Sequence, residues 1–223
     1  MAGRPSGASA DTRLRLLDAA QDLMRSKGYE ATTVDDVCKA AGLTKGSFFH
    51  HFASKEDLGV AVADRFGSQA AQHFSSSPYR QLADPRERVL AYVDLRMEML
   101  QGPISQFSCI LGTFVQELYE TNSLIRETCE KQMAEHNSAL AADLEEAKAR
   151  YVPAATWSAE SVASYVQAVT QGALILAKAE QGPAVAIECF GHLKRYLESL
   201  FAEATTTLPK GQVATKAPVA NGR

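Results

Sequence analysis

A short stretch of the chain, residues 44–51, concentrates side chains that can contact nucleic acid. Lys45 can donate hydrogen bonds to guanine edges or to phosphate, and Ser47 can donate to either. Phe49 can pack on a thymine methyl group or lie along the sugar-phosphate edge. His50 and His51 are further potential phosphate donors. Adjacent residues of a helix point about 100° apart, so this histidine pair is not expected to share a metal ion.

Two short helices are predicted to position these side chains. Apolar residues recur at helical spacing before Gly42, which with Leu43 supplies a break. Thr33 and Thr44 are the predicted N-caps of the two helices, because their side-chain oxygens can accept hydrogen bonds from unpaired backbone N–H groups. Gly46 is a poor helix former, and its place in so short a helix indicates close approach to something, such as the DNA backbone. The pattern predicts a helix-turn-helix, whose second helix presents its N-terminal turns, Thr44 and Gly46 included, to the major groove.

The charge of the chain allows only a local DNA-binding patch. The net charge is −3, with eight basic and six acidic residues in positions 1–55 and 15 against 20 in the remainder. Arg4 lies in a Gly-, Pro- and Ser-rich arm, residues 1–10, which is predicted to be disordered and could reach a minor groove. Arg13 lies in the first turn of a predicted helix over 11–27, where it opposes the helix dipole. A phosphate contact and a solvated position are both open for Arg13.

The motif GLTKGSFFHHFASKEDL, preceded by TTVDDVCKAA, resembles the DNA-binding signature of the TetR family of bacterial transcriptional regulators. The resemblance covers residues 11–60. It implies phosphate contacts for Thr33, His51 and Lys55, which match family positions near the DNA backbone. It also implies that the helix over residues 54–75 joins the DNA-binding domain to a regulatory domain and transmits a ligand-induced tilt to the recognition helices.

The remainder of the chain predicts an all-α fold, since alternating strand patterns are absent. Helical spacing and stop signals give helices over 84–101, 123–151, 158–181 and 183–204, with an unusually apolar segment over 104–119. The predicted domains are a helix-turn-helix DNA-binding domain (11–57) and a helical regulatory and dimerisation domain (58–204), followed by a disordered tail (205–223). Apolar residues surround the last two helices, which predicts burial against a second subunit. The family resemblance implies a four-helix homodimer interface, and two-fold symmetry then predicts palindromic double-stranded operator DNA.

A regulator of this kind needs a pocket for a small-molecule inducer, and the apolar segment 104–119 is either plain core or the wall of that pocket. His136 lies near the inner stripe of the helix over 123–151, where a hydrogen-bonded core histidine is favoured over a ligand-binding one. The predicted ligand-binding residues are Met97, Phe107, Cys109, Phe114, Tyr119, Met133, Tyr165 and Lys178.

The segment SQFSCILGTFVQEL resembles the branch of the family typified by the N-ethylmaleimide-responsive repressor. Members of that branch sense electrophiles through a cysteine at the position of Cys109, and Lys178 also matches a lysine of the branch. A cation near the thiol would favour the reactive thiolate. Ser108 stands where the branch usually has glycine, and cysteines in apolar surroundings are mostly inert packing residues. A sensor and a packing residue are therefore both open for Cys109.

Other classes of protein find no support in the sequence. The four cysteines lack the close pair spacings of zinc sites, so free thiols and no metal are predicted. No nucleophile–base pair, phosphate loop or cofactor motif occurs, which argues against an enzyme. Membrane-length apolar segments and a signal-peptide core are absent, which predicts a cytoplasmic protein. The leading hypothesis is a homodimeric DNA-binding repressor released by a small molecule or electrophile. The alternatives are a redox or electrophile sensor acting through Cys109, and a helical DNA-binding protein without ligand control.

Overall fold

The computed structural model describes residues 7–202, where ten α-helices and one 3₁₀ turn are found and no strand occurs. The predicted all-α fold is confirmed. No helix within this range is both long and apolar enough to cross a membrane. Arg4 and the predicted tail 205–223 lie outside the described residues. The helices are α1 (Gly7–Lys27), α2 (Val34–Ala41), α3 (Lys45–His51), α4 (Lys55–Ser76), α5 (Pro85–Glu98), α6 (Ile104–Phe107), α7 (Ile110–Leu118), α8 (Ser123–Tyr151), α9 (Ala159–Ala179) and α10 (Ala184–Leu200), with the 3₁₀ turn at Pro78–Gln81.

Helices α2 and α3 form the helix-turn-helix, and its local signals act as predicted. Thr33 caps α2 by accepting a hydrogen bond from the backbone N–H of Asp36, whose carboxylate accepts one from the backbone N–H of Thr33. Thr44 caps α3 by accepting from the backbone N–H of Ser47 at 3.1 Å. Between the helices, Gly42 adopts φ 63°, the left-handed conformation that glycine tolerates without strain. These contacts fix the position of α3 relative to α2.

Two predicted boundaries differ from the structure. Helix α1 begins at Gly7 instead of Asp11, so residues 7–10 of the predicted arm are helical; their alanine and serine residues do not oppose a helix. The apolar segment 104–119 is not one element but two helices, because Ser108 and Cys109 have extended backbone conformations. The break lets α6 and α7 bury their apolar side chains in different places.

The buried apolar side chains form two cores. The first core lies beneath the helix-turn-helix and contains residues of α1 to α4, but it also includes six residues of α7 and α8. The second core is built from the end of α4 and from α5, α8, α9 and α10. The predicted domain boundary after residue 57 therefore does not separate the cores. The six residues contributed to the first core are Ile110, Leu111, Phe114, Leu118, Ile125 and Cys129.

Candidate DNA-binding surface and ligand cavity

Helix α3 is anchored on one side and open on the other. Phe48 and Phe52 are buried in the first core, with their ring centroids 5.7 Å apart. Phe49, in contrast, exposes 57% of its surface, although aromatic side chains are usually buried. None of the ten residues predicted to contact DNA is buried, so all can reach a partner. They are Arg13, Thr33, Thr44, Lys45, Gly46, Ser47, Phe49, His50, His51 and Lys55.

The polar side chains of α3 have only weak partners within the protein. Lys45 Nζ lies 2.8 Å from Asp35 Oδ1, and both side chains are more than 60% exposed, at 62% and 65%. An ion pair as exposed as this contributes little to stability, so DNA can replace it at small cost. Thr44 Oγ1 and Ser47 Oγ lie 3.1 Å apart and bond to each other. The N-terminal end of α3 therefore presents donors that remain available.

Basic groups beside α3 are held in place by aromatic rings. The Lys55 ammonium lies 4.2 Å from the centroid of the Tyr29 ring and donates to the Glu30 carbonyl at 3.3 Å. The Arg13 guanidinium lies 5.0 Å from the centroid of the Phe52 ring. Both contacts orient a cation without neutralising it. The cationic groups of Arg13 and Lys55 therefore lie beside α3 without a carboxylate partner among the described residues.

A cavity of about 250 Å³ lies between the two cores. Its walls come from both halves of the protein, since α1 and α4 form one side while α5, α6, α8 and α9 contribute the others. Three of the eight predicted ligand-binding residues line it: Phe107, Cys109 and Met133.

The other five residues predicted to bind a ligand do not line this cavity. Phe114 is buried in the first core, its ring 5.5 Å from that of Tyr29, because α7 turns this side toward α1. Tyr119 is 56% exposed at the end of α7. Helical spacing cannot tell which of two cores a buried face meets, so the sequence alone could not assign Phe114 to the first core. Met97 is half-buried against the second core, Tyr165 is exposed beside Tyr196, and Lys178 donates to Thr113 Oγ1 at 3.1 Å.

The sequence did not indicate the polar wall of the cavity. Arg96 donates to Tyr92 Oη from Nε and Nη2 at 3.0 and 2.8 Å, and its Nη2 also lies 2.8 Å from His136 Nε2. Burial, together with the Arg96 charge, lowers the pKa of His136 to about 3. His136 is therefore neutral at neutral pH and accepts a hydrogen bond from Arg96. As predicted, it is a hydrogen-bonded core histidine, although it also lines the cavity. A possible signal for Arg96 is its position four residues after Tyr92 on an otherwise apolar stripe.

Two family models match the chain. Residues 16–62 match bacterial regulatory proteins of the tetR family, and residues 85–185 match the C-terminal domain of LmrA/YxaF-like transcriptional regulators. The chain belongs to the TetR family. The family's members include DNA-binding transcriptional repressors.

Curated relatives of this TetR-family chain are themselves regulators. The chain is 30% identical over 119 residues to the HTH-type transcriptional repressor DhaR of Mycobacterium sp. (strain GP1), and 28% identical over 123 residues to the HTH-type transcriptional repressor NemR of Escherichia coli K12. These alignments cover 53% and 54% of this chain and only 58% and 61% of the relatives. The crystal structure of reduced E. coli NemR matches with a TM-score of 0.73 at 23% identity, covering 83% of this chain and 96% of that one. At this identity the match shows a shared fold.

In this TetR-family regulator, the segment that carries Cys109 is tied to the DNA-binding half. Arg25 of α1 donates to the Ser108 carbonyl at 3.1 Å and also to the Gln106 carbonyl. Glu117 of α7 accepts a hydrogen bond from the backbone N–H of Glu30 at 2.9 Å, in the turn that leads into α2. A side chain at Gly28 would overlap the Glu117 carboxylate, and Gly28 also has φ 88°. These hydrogen bonds connect α6 and α7 to α1 and to the turn that leads into α2.

Cys109 lies half-buried at the N-terminal end of α7, on the cavity wall. Burial lowers the pKa of Lys178, while Cys109 and Glu117 act in the opposite direction. All four cysteines are free thiols, and burial raises the pKa of Cys129 to about 12. No group of histidine, cysteine or acidic residues in the described part of the chain could hold a metal ion.

His136 is expected to make the protein sensitive to acid. Its pKa is about 3 in the folded state, against about 6.5 in an unfolded chain, so the unfolded state binds the proton first as the pH falls. The stability that neutral His136 contributes is complete above pH 6.5 and decreases toward pH 3, by at most about 1.4 kcal/mol per pH unit. The free energy of unfolding of His136→Gln, measured with urea between pH 7 and 4, should fall less steeply with decreasing pH than that of the wild type. The exposed control His50→Gln should keep the wild-type slope, and equal slopes for all three proteins would contradict the assignment.

Proposed function

We propose that the protein is a homodimeric transcriptional repressor that binds a palindromic operator and is released by a small molecule in the cavity. The observation that carries this proposal is the composition of the cavity wall, in which Gln21 and Arg25 of α1 meet α4, the helix that follows α3, together with α5, α8 and α9. An occupant would touch both halves at once. The cavity also disfavours the alternative of a DNA-binding protein without ligand control.

An exposed apolar face on α9 and α10 supports the homodimer. Five large apolar side chains on these two helices are 38–48% exposed. An added Cβ at Gly172 of α9 would meet no atom within 4 Å, so a neighbouring helix could approach there closely. Two copies of this face would bury each other's apolar surface and place two α3 helices on opposite half-sites. The five residues are Tyr165, Ile175, Leu176, Ile187 and Tyr196.

Two routes connect an occupant of the cavity to α3. Phe66, Ala70 and Phe74 of α4 line the cavity, and α4 begins four residues after α3 ends. The second route runs through the Arg25 and Glu117 hydrogen bonds, which tie α6 and α7 to α1 and to the turn before α2. A small shift along either route changes the separation of the two recognition helices, and with it their fit to successive major grooves.

Substitutions at the DNA-binding surface test the proposed contacts. Lys55→Ala should weaken binding to every DNA sequence and lower the salt dependence, with the slope of log K against log salt falling by about 0.9 per lost phosphate contact. Lys45→Ala or Ser47→Ala should instead change the preference among sequences. Fluorescence anisotropy on operators selected from randomised DNA would measure both effects. Lys131→Ala, exposed on α8, is the control. If neither Lys45→Ala nor Lys55→Ala changes DNA affinity, the assignment of this surface is wrong.

Electrophile sensing through Cys109 is the second candidate, supported by its half-buried thiol on the cavity wall, next to the Gln106 and Ser108 carbonyls that accept hydrogen bonds from Arg25. The thiolate would add to the double bond of a maleimide, forming a C–S bond, while the adjacent carbon takes a proton from water. The adduct would fill part of the cavity next to the carbonyls of Gln106 and Ser108, which accept hydrogen bonds from Arg25. Mass spectrometry after mild maleimide treatment should find Cys109 modified first, with loss of operator binding.

Two single variants control this experiment. Cys109→Ser should retain operator binding after maleimide treatment, whereas Cys189→Ser, which removes the other half-buried cysteine, should lose it as the wild type does. Equal modification of Cys109 and Cys189, or operator binding that survives modification of Cys109, would remove the sensor proposal.

A further inference from the structure

The cavity has an unbalanced charge. The described residues that line it include two arginines, Arg25 and Arg96, and neither aspartate nor glutamate. The Arg25 guanidinium donates to the neutral carbonyls of Gln106 and Ser108, and its charge interacts with the carboxylate of Asp22 on the same helix. Arg96 donates only to neutral groups, Tyr92 Oη and His136 Nε2. No carboxylate among residues 7–202 forms a salt bridge with Arg96, so its charge is uncompensated at the cavity wall.

A second arginine on the same helix shows how the fold otherwise treats a buried guanidinium. Arg88, two turns earlier on α5, is buried and pairs with Asp143 Oδ1 at 2.9 Å and with Glu146. A charge removed from water without a partner is costly, and Arg88 avoids that cost through two carboxylates of α8. The residue of α8 that meets Arg96 is instead the neutral His136. Arg96 is only partly buried and faces the cavity, so a ligand in the cavity can supply the counter-charge that α8 does not.

The surroundings of Arg96 favour a carboxylate with an apolar body. The guanidinium lies 4.5 Å from the centroid of the Phe74 ring and is fixed by Tyr92 and His136. Nε and Nη2 of Arg96 are engaged by Tyr92 and His136, which leaves Nη1 to donate a charge-assisted hydrogen bond to a carboxylate oxygen. One unpaired cation suits a monoanion better than a dianionic phosphate. The cavity volume of about 250 Å³ is below the range of about 300–1,000 Å³ for drug-sized ligands, so the ligand must be small. The apolar part of the wall includes Phe66, Phe74, Phe107, Met133 and Leu174.

We propose that the cavity binds a small organic carboxylate whose apolar body lies among these aromatic and aliphatic side chains and whose carboxylate group pairs with Arg96. The inference rests on the proposed function in one respect, because it names the chemical class of the releasing ligand. Binding itself does not depend on DNA and can be measured separately.

The full-length protein can be tested with matched pairs of probes of equal shape: benzoate and benzamide, trans-cinnamate and cinnamamide, hexanoate and hexanamide. Thermal unfolding and calorimetry should show that at least one carboxylate raises the unfolding temperature and binds at least about tenfold more tightly than its amide. Arg96→Gln should weaken this binding about thirtyfold or more, since it removes one partner of a buried charge pair. Arg126→Gln, exposed at the start of α8, should leave it unchanged.

Three results would overturn the proposal: amides that bind as tightly as their carboxylates, carboxylates that do not bind, or inorganic phosphate that binds as well as the organic acids. The comparison of acid and amide uses the wild type, so it stands even if Arg96→Gln fails to fold. Arg96→Lys, which keeps the charge but loses the planar guanidinium that Tyr92 and His136 hold in place, should give an intermediate affinity.

Operator binding, measured with the same probes, separates this proposal from the proposed function. If a carboxylate binds through Arg96 but the operator stays bound, the carboxylate site is supported and release of the operator by a ligand is refuted. A neutral compound that binds the cavity and releases the operator, while no carboxylate binds, would support ligand release and refute the carboxylate site.

Discussion

Replacing Ile175 by aspartate is expected to convert the protein from a dimer to a monomer and to weaken operator binding at least about a hundredfold. Ile175 is 46% exposed on α9, next to the equally exposed Leu176. In the proposed interface an aspartate would be buried opposite apolar residues of the second copy, with no partner for its charge. A monomer presents one α3 helix, so it loses the gain of about 10²–10⁴ in affinity that comes from linking two binding modules.

Light scattering coupled to size-exclusion chromatography would measure the mass of Ile175→Asp, and anisotropy with a labelled operator would measure its affinity. Leu124→Asp provides a matched control, because Leu124 is an aliphatic residue that is 50% exposed on α8, away from the proposed interface. It should remain dimeric and bind the operator normally. A dimeric Ile175→Asp protein would show that α9 does not form the interface.

Gly46→Ala is expected to change stability and DNA affinity in opposite directions. In the free protein a Cβ at Gly46 would have Thr44 Oγ1 as its nearest neighbour at 3.6 Å, which is ordinary van der Waals contact. Alanine in a helix is favoured over glycine by about 1 kcal/mol, so the free energy of unfolding should rise by up to that amount. In the complex with DNA, the added methyl group would collide with the DNA that α3 is proposed to approach closely at Gly46. The affinity for DNA should therefore fall at least about tenfold, a loss of about 1.4 kcal/mol of binding free energy.

Urea unfolding and operator titration of the same preparation would test both halves of this expectation. Gly42→Ala is the contrasting control, because φ 63° at this position penalises any side chain and the variant should lose stability. Stable Gly46→Ala protein with unchanged DNA affinity would mean that Gly46 does not approach DNA.

The DNA-binding end of the fold could be predicted because its signals are local. The caps formed by Thr33 and Thr44 and the left-handed turn at Gly42 each involve residues within a few positions of one another. The anchoring of α3 by Phe48 and Phe52 follows from their separation of four residues. Such contacts leave a pattern in the sequence that can be interpreted without knowing the tertiary fold.

The cavity could not be predicted to the same degree because its contacts are distant in the sequence. In the sequence, Arg96 resembles an ordinary solvent-exposed arginine. Its contact with His136, forty positions later, is known only from the tertiary structure. Phe107 and Phe114 belong to one apolar segment, yet the break at Ser108 sends them to opposite cores. Helical periodicity identifies a buried face but not the partner that buries it.

The first core also constrains when a newly made chain can become active. Six of its side chains come from α7 and α8, the last of them Cys129. The packing beneath the helix-turn-helix is therefore incomplete until residue 129 has left the ribosome. A nascent chain gains a fully supported α3 only after the segment carrying Cys109 has been made, so DNA recognition cannot mature ahead of the element proposed to control it.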